Sequence, residues 1–149
     1  MKKILFLIFA VLLGAEEMKI TSKYFHYDMA KRISVFKDDV NATKGEDNIL
    51  SDKLTVIFDK NKKPTEFIAV GNVRFKINLD QNVTYTGKSK KLIYLLKKGD
   101  IILFDGIIIK AQTHESVSGK KIILNRITKN AEVIGGKKKP VEIIMKVNE

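Results

Sequence analysis

Residues 67–79, FIAVGNVRFKINL, carry apolar side chains at Phe67, Ala69, Val73, Phe75, Ile77 and Leu79, every second position except for one pause at Gly71-Asn72. Arg74 and Lys76 fill places between them. A period of two over this length is the signature of a half-buried β-strand, and Gly71 marks a bulge or bend inside it. No window of helical length carries a 3.6-residue apolar stripe, so the alternation confines the chain to an all-β fold. The strands expected are 19–27, 33–42, 54–59, 65–79, 83–86, 92–97, 100–110, 115–118, 121–126, 131–135 and 141–147. The connections 28–32, 60–64, 97–100 and 127–130 are short and rich in the Asn, Asp, Gly, Lys and Pro that hairpin turns require.

Two patterns recur. The first, apolar-x-[Ser/Gly]-x-x-apolar-x-apolar, appears as Ile20/Ser22/Phe25/Tyr27, Ile49/Ser51/Leu54/Val56 and Val117/Gly119/Ile122/Leu124, with a looser copy at Gly87/Ser89/Leu92/Tyr94. The second comes a hairpin later: Phe36/Asp38/Val40, Ala69/Gly71/Val73, Phe104/Gly106/Ile108 and Val133/Gly135. The three-residue step in the first pattern breaks the period of two, so the strand turns a corner and keeps its apolar side chains inward. Four corner-plus-hairpin units, stacked, give an antiparallel β-jelly-roll or folded-over β-solenoid with open ends, two sheets facing each other across one apolar interior. The terminal strands 19–27 and 141–147 then each present an edge. The run Lys137-Lys138-Lys139-Pro140 before the last strand either protects that edge or flanks a joint for another subunit's strand.

The chain has 149 residues, which on length is one domain, and no cysteine, which removes disulfides, thiolate metal sites and a Cys nucleophile. Lys2-Lys3, the apolar run 4–13 and Gly14-Ala15 have the form of a secretory signal peptide, 1–15, with cleavage expected after Ala15 and a single domain over 16–149. Ten apolar residues are too few to span a bilayer; the alternatives are an uncleaved anchor or a buried N-terminal strand. The net charge is +11, and without Lys2 and Lys3 the chain still holds 26 basic against 17 acidic residues. Such a chain keeps anionic company, and export argues for a membrane surface or an acidic glycolipid over nucleic acid.

Little points to catalysis. His26 and His114 stand in different repeats with no carboxylate cluster at metal-ligand spacing, and Asp38-Asp39 takes the Gly place of its repeat, as a tight turn would. The segment GKSKK, 87–91, lacks the spacing of a phosphate loop. We therefore expect no enzyme, cofactor or metal. The candidate inward set is Phe36, Val40, Leu54, Val56, Phe58, Phe67, Val73, Phe75, Leu92, Tyr94, Phe104, Ile108, Ile122 and Leu124. It is either an ordinary sandwich core or, if the stack is open, the lining of a groove for acyl chains, whose burial contributes about 0.8 kcal/mol per methylene. Lys76, Lys88, Lys90 and Lys91 are expected near its rim, where they would meet phosphate groups. Asn41-Ala42-Thr43 and Asn82-Val83-Thr84 are glycosylation sequons, each with Asp two residues earlier.

The stretches ILSDKLTVIFD…FIAVGNV and GKSKKLIYLL…ILFDGIIIK resemble the OstA-like domain of periplasmic lipopolysaccharide-transport proteins. The resemblance runs over residues 18–135, best at Gly71-Asn72-Val73, weaker at Gly106 and altered to Asp38-Asp39-Val40 in the first unit. It implies a periplasmic β-jelly-roll whose copies stack end to end. Such a stack would link the inner-membrane lipopolysaccharide exporter complex to the outer-membrane lipopolysaccharide assembly protein and carry lipid A acyl chains in its groove. Two alternatives stand beside it: a membrane-anchored relative of the same pathway, and a structural β-solenoid without ligand.

Overall fold

The computed structural model describes residues 17–80 and 82–148. Ten strands occur in order: β1 (Met18–Thr21), β2 (Tyr24–Asp28), β3 (Ile33–Lys44), β4 (Asp47–Phe58), β5 (Pro64–Asp80), β6 (Val83–Leu95), β7 (Asp100–Lys110), β8 (Ser116–Asn125), β9 (Ala131–Ile134) and β10 (Glu142–Ile144). No helix occurs among the described residues. The strands form one antiparallel sheet in the order β1-β3-β4-β5-β6-β7-β8-β10, with β2 also on β3 and β9 also on β8. The expected signal peptide, 1–15, lies outside the described residues.

Each long strand bends near its middle, and the sheet folds over along the line of bends. β3 pairs β2 through Ile33–Lys37 and β1 through Asn41–Lys44, so its two halves belong to different layers. At the other end, β8 pairs β9 through Lys121–Leu124 and β10 through Ser116–Ser118. The bends of β3 and β5 are β-bulges: register shifts between Lys37 and Val40 and between Val70 and Val73. Their extra residues take left-handed backbone, Asp38 (φ 66°), Asp39 (53°), Gly71 (89°) and Asn72 (47°), a region that Gly, Asn and Asp enter most readily. A side chain at Gly71 would run into Asp52 on the neighbouring strand. On β4, β6 and β8 the corner is the three-residue step of the first sequence pattern, from Ser51 to Leu54, Ser89 to Leu92 and Gly119 to Ile122, all six buried. The interior between the layers holds Phe36, Val40, Leu54, Val56, Phe58, Phe67, Val73, Phe75, Leu92, Ile108, Ile122 and Leu124 in one cluster, joined by Ala42, Ala69, Ile77, Ile101 and Leu103. Tyr94 is half-buried against it.

The structure changes four expectations. Phe104 does not face inward: it lies half-buried on the outer face, with the Lys91 and Lys121 ammonium groups 5.6 and 5.8 Å from its ring centroid. Leu103, fully buried, takes the inward place. The reason is parity. On β3 and β5 the inward residues on either side of the bend are four apart, Phe36 to Val40 and Ala69 to Val73. On β7 the step is three, from Leu103 to Gly106, through Asp105 at φ 51°. Second, the segments 83–86 and 92–97 are one strand, as are 115–118 and 121–126, and residues 47–53 belong to β4; the polar corners break the alternation but not the hydrogen-bond ladder. Third, the expected strand 19–27 is two strands, parted at Ser22-Lys23 where the sheet folds. Fourth, Lys76, Lys88, Lys90 and Lys91 stand on the outer faces of β5 and β6: alternation sets Lys76 and Lys88 opposite their inward neighbours, and Lys90 and Lys91 occupy the outside of the corner between Ser89 and Leu92.

Candidate functional site

Folding the sheet along its bends leaves a mouth on the opposite side, where the hairpin turns of the two layers approach each other. The turns after β3, β5 and β7 border it on one side. The turns after β2, β4, β6 and β8 border it on the other. Two basic side chains from the turn after β8 cross this mouth. The Arg126 guanidinium donates to Asp47 Oδ2 at 3.2 Å and to the carbonyl of Asn78 at 3.3 Å, and Lys129 Nζ donates to the carbonyl of Leu79 at 2.7 Å. Asp47 stands 79 residues away in sequence.

Local chemistry sets both partners in place. Asn125 ends β8, and its Oδ1 accepts the backbone N–H groups of Ile127 and Thr128 at 2.9 and 2.8 Å, an Asx turn that Asn favours. The Arg126 N–H donates to the Gly99 carbonyl at 2.8 Å, fixing where its side chain starts. Across the mouth, Asp47 Oδ1 accepts the N–H of Asn78 at 3.0 Å, so the carboxylate is held before Arg126 reaches it. The ion pair is partly shielded, with the two side chains 28% and 22% exposed, and the guanidinium lies 5.8 Å from the Tyr94 ring centroid. A charge-assisted bond in such a setting is stronger than one at the open surface.

Behind this bridge are two apolar spaces. One, of about 50 Å³, is lined by Met18, Ala42, Ile49, Leu54, Phe67, Ile77, Leu92, Tyr94 and Ile101, with Lys44, Asp47 and Arg126 at its rim. The other, of about 240 Å³, is lined by Leu79, Tyr85, Ile108, Val117, Ile122, Leu124, Ala131 and Val133, with Arg126 and Lys129 at its rim. An apolar cavity of about 150 Å³ holds one benzene, so the first space is too small for an acyl chain and the second admits the end of one. Of the candidate set, Leu54, Phe67, Leu92 and Tyr94 line the first and Ile108, Ile122 and Leu124 the second. Phe36, Val40, Val56, Phe58, Val73 and Phe75 line neither and are packed core. Arg126, Asp47 and Lys129 escaped sequence reading, since no local pattern couples one hairpin turn to another so far along the chain.

The remaining candidates are scattered. His26 is exposed on β2, and His114 is in the turn after β7. Among the described residues no cluster of three or more His, Asp or Glu side chains has metal-binding geometry. Asn41 is in mid-strand, its Oδ1 taking the Asn48 amide at 2.7 Å, whereas Asn82 is exposed in the turn between β5 and β6.

A family model described as "LptA/(LptD N-terminal domain) LPS transport protein" matches residues 19–130. The chain belongs to this LptA/LptD N-terminal domain family. It is a family of transport proteins, not a class of enzymes, and the resemblance read in the repeats points to the same place. No curated protein sequence matches the chain. Among solved structures, it is similar to LptH from Pseudomonas aeruginosa, described as the LptA-homologous periplasmic component of the conserved lipopolysaccharide transport device. The TM-score is 0.78 at 13% identity, covering 89% of this chain and 96% of that one. At that identity the likeness speaks for the fold: an LptA-type β-jelly-roll accounts for the bent strands and the split ends of the sheet. The family match stops at Asn130, one residue before β9, so the mouth turn with Arg126 and Lys129 lies inside it.

Proposed function

We propose that this LptA/LptD-family protein is a periplasmic bridge that takes the acyl part of lipid A between its two layers and passes lipopolysaccharide from the inner-membrane exporter complex to the outer-membrane assembly protein. The observation that carries this reading is the apolar cleft of about 240 Å³ opening at the mouth beneath Arg126 and Lys129. It offers greasy walls to an acyl chain and cations to a phosphate at the same place. A periplasmic setting is consistent with the signal-peptide form of residues 1–15 and matches what is said of LptH. Mass spectrometry of the exported protein, with an N-terminus at Glu16, tests it against the membrane-anchored alternative. No helix among the described residues is long and apolar enough to cross a membrane.

The split ends suit stacking. β10 holds β8 through only three residue pairs, Glu142, Ile143 and Ile144 with Ser118, Val117 and Ser116, and Val141, Ile143, Ile144, Met145 and Val147 are exposed around it. A second copy presenting β1 and β2 would cover this edge by strand addition. Site-specific photocrosslinking in cells tests the carrier role. A crosslinker at Tyr85 or Val133 should form lipopolysaccharide adducts, and one at Phe104 on the outer face should not. Adducts at neither cleft position would favour the ligand-free solenoid. Of the two sequons, the exposed turn at Asn82 is the better acceptor, and a mass shift abolished by Asn82→Gln would establish its use.

A further inference from the structure

The bridge across the mouth has a consequence for loading. Arg126 borders both apolar spaces, and its guanidinium spans from one layer to the carboxylate of Asp47 and the carbonyl of Asn78 in the other. With Lys129 on the Leu79 carbonyl, the turn after β8 is tied to the start of β4 at Asp47 and to the end of β5 at Asn78 and Leu79. The space of about 50 Å³ beside Asp47 and Arg126 is too small to receive a chain at its present width. The walls behind these ties are mostly apolar, and acyl chains filling a gap between them would restore the contacts that separation loses.

We propose that Arg126 and Asp47 form a releasable latch on the mouth. An anionic phosphate group takes the place of Asp47 on Arg126, the layers part, and the chains attached to that headgroup enter between them. This rests on the carrier reading above. The exchange is chemically even, one anion replacing another on the same guanidinium, so opening exposes no unpaired buried cation. Asp47 keeps the Asn78 N–H as a partner when Arg126 leaves, so it is not stranded either. Because a closed mouth lowers the fraction of binding-competent protein, weakening the latch should tighten apparent binding.

The chain has no cysteine, so a pair introduced at the latch is unique. In Asp47→Cys/Arg126→Cys protein, a short bifunctional methanethiosulfonate bridges the mouth and reductant reopens it. We expect the bridged form to lose at least about tenfold in affinity for both diphosphoryl lipid A and dodecyl maltoside, and the reduced form to regain it. In the full-length protein, Asp47→Asn should tighten diphosphoryl lipid A binding about three- to tenfold. Arg126→Gln should weaken diphosphoryl lipid A, which loses its phosphate contact, and tighten the neutral maltoside, which only needs the mouth open. Equal binding by bridged and reduced protein, or no change in Asp47→Asn, overturns the latch while leaving the carrier reading intact. If wild-type protein binds neither amphiphile, the carrier reading fails and the latch with it.

Discussion

Phe75 and Gly87 face each other across β5 and β6, and their fit can be measured as a coupling energy. Gly87 is buried, with a φ that any residue adopts, yet a Cβ built on it would collide with the Phe75 ring and the Ile107 carbonyl. The ring therefore fills the space that the missing side chain leaves. Phe75 is 4% exposed, and Phe75→Ala should cost about 3–5 kcal/mol through lost burial and the cavity left behind. Gly87→Ala should cost about 2 kcal/mol: overpacking at the upper end of ~1–3 kcal/mol, offset by the ~0.5–1 kcal/mol that Ala gains over Gly in the unfolded chain. In the double variant the new methyl no longer meets a ring and partly fills its cavity, but the backbone carbonyl of Ile107 still crowds it. The two changes should then cost about 1–2 kcal/mol less together than their sum. Urea unfolding of all four proteins, followed by circular dichroism with equal m-values, gives the cycle. Strict additivity would refute the reasoning, because it would mean that ring and glycine do not share one space.

Phe75→Asp or Leu54→Asp should abolish folding, since a buried unpaired carboxylate costs several kcal/mol against a native stability of roughly 5–15 kcal/mol; unchanged thermal melting would count against their inward placement. Ser34 is fully buried, and its Oγ finds no hydrogen-bond partner among the described residues. Ser34→Ala should therefore raise stability by about 1 kcal/mol, read as a higher Tm. The backbone N–H of Lys63 holds the Asp59 carboxyl below its ordinary range, joined by the N–H of Asn61 and the charges of Lys97 and Lys63 and opposed by desolvation. A carboxylate whose folded pKa is depressed contributes stability that is present above the unfolded carboxylate pKa and is lost as pH falls through the folded one. Asp59→Asn keeps an oxygen acceptor for the turn but removes the titration, so its urea midpoint should fall less steeply with acidification; a parallel acid profile would refute the assignment.

Strand identity and corners are local properties; the two facing sheets expected from them are, in the structure, the two halves of one ten-stranded sheet folded over. Alternation at Phe67–Leu79 and the steps at Ser51, Ser89 and Gly119 are written in neighbouring residues, because a strand's two faces arise from its own period. The inward set was legible for the same reason, and it failed at Phe104, where a single left-handed residue, Asp105, changes the parity across the bend of β7. Period alone cannot tell a three-residue bend from a four-residue one. The family was readable too, because its corners recur in fixed order. The mouth was not. Arg126 meets Asp47 only after eight strands have paired and the sheet has folded over, and which basic residues out of 28 end up guarding the cleft depends on how the turns of two layers come to face each other. The sequence by itself thus determined bent, antiparallel, all-β layers facing each other across an apolar interior. Only the tertiary structure decided where that interior opens and what holds it shut, since the approach of distant turns is a property of the closed fold and of no segment within it.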